Sequence, residues 1–403
     1  MNDSNLKSKK NSYKRIILAD PYMRGHHYIY FREMLRSLQN FDFELILMCP
    51  QEMYENLSTE EWDVEFSKFH FIDYAENSSS YVDRSLSLEE ERTLRCKRLI
   101  KCLGELKYCD KTLLFLPFLD SYLSTEIDLS LFDELNCSIS CIWFQPGNAI
   151  LPHNSYYKEV SPKRIFSLGV FRSVGLLIYT ERVQKYFNNI NVNLSHIPDF
   201  IDTTIDENPY IEELKFKTKS KKTICLLGAL AKRKGLLLLL ETFDKYKLYN
   251  HYCLIIAGPL IDDGFSDEEM EFIEYCTLKW SDSIFYSPKA IKTEGEFNSY
   301  IKVSDIVWAL YDNFAFSSNM IGKACYFNKW IIGFKDSYIG ETIDQYKLGA
   351  TAEYNCEDVH RFLASFDNGE YEVTSKTIEG RKKYLRNNSI SKIKDFVLSS
   401  IEN

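Results

Sequence analysis

Short apolar runs of strand length alternate along this chain with longer segments whose apolar residues recur every three or four positions. In the first half the strand-like runs span 15–20, 44–48, 69–73, 112–116, 138–144 and 176–179. Between the first two, Phe31, Met34, Leu35 and Leu38 share one face of a predicted helix over 28–38, because residues three and four apart stack on the same side of a helix. A polar stretch over 188–220 carrying Pro198 and Pro209 breaks the rhythm and reads as a linker. Alternation resumes with 223–227, 252–257, 284–286, 306–310 and 330–333, and a basic helical pattern over 379–401 follows. Strands and helices in alternation build parallel sheets covered on both faces. The fold class is therefore α/β, two doubly wound domains facing a cleft. The expected boundaries are a disordered basic lead over 1–14, domains over 15–198 and 199–375, and a terminal helix over 376–403.

Composition narrows the function classes. The chain has 403 residues, 45% of them apolar, which is enough for two cores rather than one. Its formal charge of -9 leaves no global basic field to release counterions from a nucleic acid. The run Leu236 to Leu240 is fenced by Lys234 and Glu241, so no apolar stretch reaches the length of a bilayer span. The first fifteen residues lack an apolar export segment. The eleven cysteines sit singly in apolar stretches, as reduced core thiols do. Cys137 and Cys141 have no partner pair, so no metal site is expected. A cytoplasmic location follows. The segment 161–175, where Lys163, Arg164 and Arg172 interleave with Ile165, Phe166, Leu168 and Phe171, reads first as an amphipathic helix docked on its own domain; the alternative is peripheral contact at the inner face of a membrane.

Ligands of parallel sheets bind beyond the carboxyl ends of the strands, which singles out three loops. The first runs from Asp20 through Gly25, His26 and His27 into a helix. There a glycine lets a ligand approach the backbone and the helix start offers free amides; an ordinary turn with solvated histidines accounts for the same residues. The second runs from Gly228 to Gly235 and carries Lys232, Arg233 and Lys234, three consecutive cations aimed at the strand end, where a diphosphate would be held. Its spacing is neither a P-loop nor a dinucleotide fingerprint. The third, 311–319, ends in Ser317, Ser318 and Asn319, apt N-caps whose next turn has amides to spare for phosphate oxygens. Taken alone these three read first as plain capping; beside the Arg233–Lys234 loop on a neighbouring strand, phosphate binding gains.

The ordered set Leu227-Gly228-Ala229-Leu230, Arg233-Lys234-Gly235-Leu236, Leu254-Ile255-Ile256-Ala257-Gly258, Ser304-Asp305-Ile306-Val307 and Ala324 followed by Lys329-Trp330-Ile331-Ile332 resembles the donor half of glycosyltransferases of the GT-B fold, closest to retaining family 4. The match covers about residues 223 to 350, and the first half matches in pattern only. The resemblance implies two Rossmann-like domains and transfer from a nucleotide-diphosphate sugar to a glycan or lipid-linked glycan acceptor in surface polysaccharide synthesis, without metal and without a resident cofactor. It assigns Lys234, with Arg233 as helper, to the donor diphosphate. Gly228, Ser317, Ser318 and Asn319 fall at the same diphosphate, Gly25 in the loop that closes over it, and Gly258 and residues 287–290 along the nucleotide. His27, or His26, remains an acceptor-side candidate.

The departures from the family are as informative. Its paired glutamates align with Ala315 and Lys323, so two carboxylates are missing and Lys323 adds a cation for the diphosphate. Ala229 stands where an arginine is common, and Gln145 near the place of a histidine of the first domain. These losses keep open a catalytically silent scaffold that binds a nucleotide sugar or a partner enzyme. A sugar-nucleotide epimerase and a nucleotide-independent interaction protein are further alternatives.

Overall fold

The computed structural model describes residues 13–23, 26–74, 87–107, 109, 111–122, 137–146, 166, 168–178, 191–206, 214, 220–261, 264–371 and 373–402. The chain divides into two compact units, Met1–Pro198 with Ile390–Asn403, and Asp199–Ser389. The terminal helical pattern is thus two helices shared between the units, α10 (Ser375–Asn387) in the second and α11 (Ser391–Glu402) in the first.

Unit 1 is built on a parallel sheet of seven strands in the order β3-β2-β1-β4-β5-β6-β7. They are β1 (Arg15–Ala19), β2 (Glu44–Cys49), β3 (His70–Asp73), β4 (Thr112–Leu116), β5 (Ser138–Trp143), β6 (Phe171–Leu176) and β7 (Asn193–His196). Every residue of β1 and β4 is buried, as expected of strands covered on both faces. Helices α1 (His26–Leu38), α2 (Gln51–Ser58) and α3 (Leu88–Gly104) follow β1, β2 and β3. Ser87 and Glu90 close α3 with reciprocal bonds that satisfy two of its free amides. Two expectations are corrected here. Residues 171–176 are strand, not the end of an amphipathic helix, so the run expected at 176–179 begins five residues earlier; residues 161–165 lie outside the described set. The expected linker contributes β7 to the sheet.

Unit 2 has six parallel strands in the order β10-β9-β8-β11-β12-β13. They are β8 (Lys222–Leu227), β9 (Tyr252–Ala257), β10 (Ile284–Ser287), β11 (Ile306–Ala309), β12 (Trp330–Phe334) and β13 (Gly349–Ala352). In sequence order this is 3-2-1-4-5-6, the doubly wound arrangement, whose direction reverses beside the first strand. The intervening helices are α4 (Leu236–Lys245), α5 (Asp267–Lys279), α6 (Glu294–Val303), α7 (Asn319–Tyr326), α8 (Tyr338–Tyr346) and α9 (Cys356–Asp367). The leucine run places Leu236, Leu239, Leu240 and Phe243 of α4 in the core with β8, β9 and β11. No helix among the described residues is long and apolar enough to cross a membrane.

A polar seam ties the start of unit 2 to its helices. Asn298, fully buried on α6, donates to the carbonyls of Asp202 (2.9 Å) and Thr204 (2.8 Å) and accepts from Lys323 Nζ on α7 (2.6 Å). Replacing Asn298 with alanine orphans two carbonyls and takes one of its two acceptors from the Lys323 ammonium, a loss of about 2–4 kcal/mol. Thermal unfolding should show this as a fall of roughly 5–15 °C for a unit of this size; an unchanged midpoint would show that the seam adds nothing.

Candidate functional site

The two chain-order reversals in the sheets lie between β1 and β4 and between β8 and β11. Crevices of this kind open where neighbouring strands send their helices to opposite faces. In unit 2 the loops leaving the two strands are the second and third loops picked out above, and they are bonded to each other. The Asp312 amide donates to the Arg233 carbonyl (2.7 Å), and Trp308 Nε1 donates to the Lys234 carbonyl (2.8 Å). Gly235, at φ 77°, sits so close that a β-carbon there would stand 2.7 Å from the Leu310 carbonyl oxygen.

Lys234 ends a 3-10 turn, Lys232–Lys234, and folds back over the end of β8. Its Nζ donates to the Leu227 carbonyl at 2.7 Å and lies 5.8 Å from the centre of the Tyr311 ring. Gly228, at φ 80°, makes room for it, since a β-carbon at that position would be 3.1 Å from Nζ. Gly258 in turn packs on Gly228: its φ is 138°, and a β-carbon would fall 2.1 Å from the Gly228 oxygen. Only glycine fits either place. Burial, with Arg233 next to it, lowers the Lys234 ammonium to about 8. Arg233 lays its guanidinium 4.6 Å from the centre of the Phe314 ring. Lys232 pairs with Glu269 (2.7 Å), whereas neither Arg233 nor Lys234 has a carboxylate partner among the described residues.

The remaining residues fall into two groups. Ser318 is the N-cap of α7 and its hydroxyl takes the Met320 amide (3.4 Å), while the Ile321 amide is used by the Ser318 carbonyl (3.1 Å). The cap therefore consumes most of the amides that the sequence left open; Ser317 and Asn319 flank it, half-buried. Burial pushes Tyr311 up to about 12. Lys323 is placed otherwise than expected. It is fully buried, bonded to Glu294 and Asn298 with the Phe297 ring 4.5 Å away, so its charge is paired with a carboxylate. Ala315, where the other family carboxylate would stand, is buried.

In unit 1 the reversal carries a different chemistry. His27, in the first turn of α1, directs Nδ1 to both oxygens of Asp20 at 2.9 Å, and Asp20 is fully buried. The imidazole stacks on Phe118 after β4 (3.9 Å between centres), which stacks on Phe144 after β5 (3.8 Å). Asp120 accepts from the amides of Phe144 (2.8 Å) and Gln145 (3.0 Å); burial nevertheless pushes it up to about 6. Gly25 and the side chain of His26 lie outside the described residues. Sequence reasoning passed over Asp20, Phe118 and Asp120; the one signal for Asp20 was an acid at the end of the opening strand.

No family model matches the chain, and no curated protein does. Solved structures do resemble it. Sucrose-phosphate synthase from Thermosynechococcus elongatus superposes with a TM-score of 0.66 at 12% identity over 94% of this chain and 96% of that one. A structure described as trehalose-6-phosphate from E. coli bound with UDP-2-fluoro glucose gives 0.63 at 10% over 96% and 99%, and a glycosyltransferase from Rickettsia africae ESF-5 gives 0.60 at 13% over 96% and 97%. The chain has the GT-B fold of these proteins, two Rossmann-like units in one polypeptide.

The low Lys234 value sets a stability test. The ammonium is charged in the folded and unfolded chain below about 8, where its burial penalty is felt in full. Between there and the ordinary lysine value of about 10.5 the folded chain holds fewer protons than the unfolded one, so stability rises with pH. Lys234→Met should therefore be more stable than wild type at pH 7, on the order of 2 kcal/mol after allowance for partial exposure to solvent. The gap should narrow above pH 8. Thermal melts of both proteins from pH 7 to pH 9.5 check it, and a gap that is absent or widens with pH contradicts it.

Proposed function

We propose that the chain is a glycosyltransferase that takes its sugar from a nucleoside-diphosphate sugar held in unit 2 and passes it to a hydroxyl of a glycan or lipid-linked glycan, in the synthesis of a surface polysaccharide. The observation that carries the reading is the Lys234 ammonium, partly desolvated at the sheet reversal against a main-chain carbonyl and two glycines, with no carboxylate among the described residues to balance it. A half-buried cation without a counter-ion among the described residues favours an anionic ligand. Glycines at positive φ on both adjoining strands let that ligand reach the backbone.

In this reading the bond between the anomeric carbon and the phosphate oxygen breaks with its electron pair leaving on the nucleoside diphosphate. Charge grows on that leaving group, and Lys234 and Arg233 stabilise it where it grows. Arg233 is held ready by its stacking on Phe314, and Lys234 trades the Leu227 carbonyl for a phosphate oxygen. His27 serves on the acceptor side. A second reading, a scaffold that binds the nucleotide sugar without turnover, is favoured by the neutralised Lys323 and the buried Ala315 at the two positions where the resembled family carries acids.

The test is a thermal-shift panel of UDP-glucose, GDP-mannose and ADP-glucose with wild type and Lys234→Ala. A ligand at about 100 times its dissociation constant adds about 2.7 kcal/mol, a rise of several degrees. One of the three should stabilise wild type and leave Lys234→Ala unmoved. No shift with any of them, or an equal shift in the variant, contradicts the donor site. Release of nucleoside diphosphate from the ligand that binds then separates the enzyme from the scaffold.

A further inference from the structure

The loop that leaves β11 does more than lead into the cap of α7. We propose that Phe314 is a positioning residue that makes Arg233 the second arm of a diphosphate clamp whose first arm is Lys234. The proposal rests on the donor reading above and lies wholly within unit 2.

Three observations carry it. First, the main chain of both cations is held from β11 and its loop: the Asp312 amide donates to the Arg233 carbonyl (2.7 Å) and Trp308 Nε1 to the Lys234 carbonyl (2.8 Å). Second, the loop doubles back on the arginine. Asn313 lies at φ 47°, in the left-handed region, and the residue after it brings its ring against the Arg233 guanidinium, 4.6 Å from the ring centre. That ring is braced edge-on by Tyr311 (5.3 Å between centres, 79° between planes) and by Phe316 (5.3 Å, 85°), and Tyr311 is buried. Third, Arg233 is exposed, and its side chain has neither a hydrogen bond nor an ion pair among the described residues. An arginine resting by chance on a surface ring needs no left-handed turn to deliver the ring and no further rings to fix it.

A ring holds a guanidinium differently from a carboxylate. Its quadrupole attracts the cation over the face, yet it neither cancels the charge nor occupies an N–H group. The planar fork therefore stays open for two oxygens of one phosphate. Lys234 brings a compact point charge and Arg233 the fork; adjacent in the chain, the two suit the two phosphates of a diphosphate. A monophosphate is satisfied by one arm. Ala315, where the resembled family carries an acid, is buried, and its neighbour Phe314 meets the cationic loop instead.

The experiment is titration calorimetry on the full chain with UDP, GDP and ADP and with the corresponding monophosphates, the base that binds being carried through the variants. Arg233→Ala should weaken the diphosphate about ten- to a hundredfold and the monophosphate by less than about threefold. Phe314→Leu, which keeps an apolar side chain and removes the ring face, should weaken the diphosphate about two- to fivefold, and Phe314→Tyr should restore it. Introduced into Arg233→Ala, Phe314→Leu should change nothing further, because the residue it positions is gone. The exposed Asn313 gives a second handle: Asn313→Val, which resists a left-handed turn, should weaken the diphosphate as Phe314→Leu does, and Asn313→Gly should recover it. Equal weakening of mono- and diphosphate in Arg233→Ala, or an undiminished effect of Phe314→Leu when Arg233 is absent, overturns the proposal. Melting without ligand shows that each variant is folded; if Phe314→Leu is not, the Asn313 pair decides, and equal binding by its two members overturns the proposal. Binding that is lost in Lys234→Ala but indifferent to Arg233→Ala overturns this proposal and leaves the donor site standing, whereas no binding by wild type removes both.

Discussion

The site in unit 2 depends on one uncompensated charge. A lysine ammonium withdrawn from water ordinarily finds a carboxylate or gives up its proton. Lys234 instead rests on the Leu227 carbonyl and is lowered to about 8, with Arg233 crowding it. The surroundings are organised to keep it there. Trp308 holds its main chain to β11, Gly228 leaves the space it fills, and Gly258 gives Gly228 a neighbour without a side chain. None of these contacts lowers the energy of the charge itself. The arrangement is comprehensible as a receptor for an anion that arrives later.

Both units place their polar constellation at the same topological point, where the strand order reverses, yet they hold opposite kinds of group. Unit 2 offers cations and glycine backbone; unit 1 offers an imidazole backed by a carboxylate. Ala315 and Lys323 stand at the two positions where the resembled family carries acids, and both are buried. Lys323 has become a bolt within unit 2, joining α7 to α6 and, through Asn298, to the segment around Asp202 and Thr204.

Much of the fold was legible because buried parallel strands are apolar throughout. β4 and β9 match the runs read from sequence, and β1 and β8 differ by one residue at one end. β6 and β13 were missed or misplaced for a physical reason. Arg172, Ser173 and Gly175 dilute the first, and Gly349–Ala352 is made of small residues whose strand character comes from pairing with β12. The loops around Lys234 and Ser318 were readable from their place after a strand. What sequence could not supply was burial and long-range pairing. Glu294 meets Lys323 from 29 residues away, and nothing local marks Asp20 as fully buried beneath His27.

The most direct measurement of the central claim is a crystal structure of the full chain with UDP. The account predicts the diphosphate at the ends of β8 and β11, with Lys234 Nζ turned from the Leu227 carbonyl to within hydrogen-bond distance of a phosphate oxygen and Arg233 beside it. Nucleotide bound elsewhere, or bound here with Lys234 still on Leu227, would contradict it.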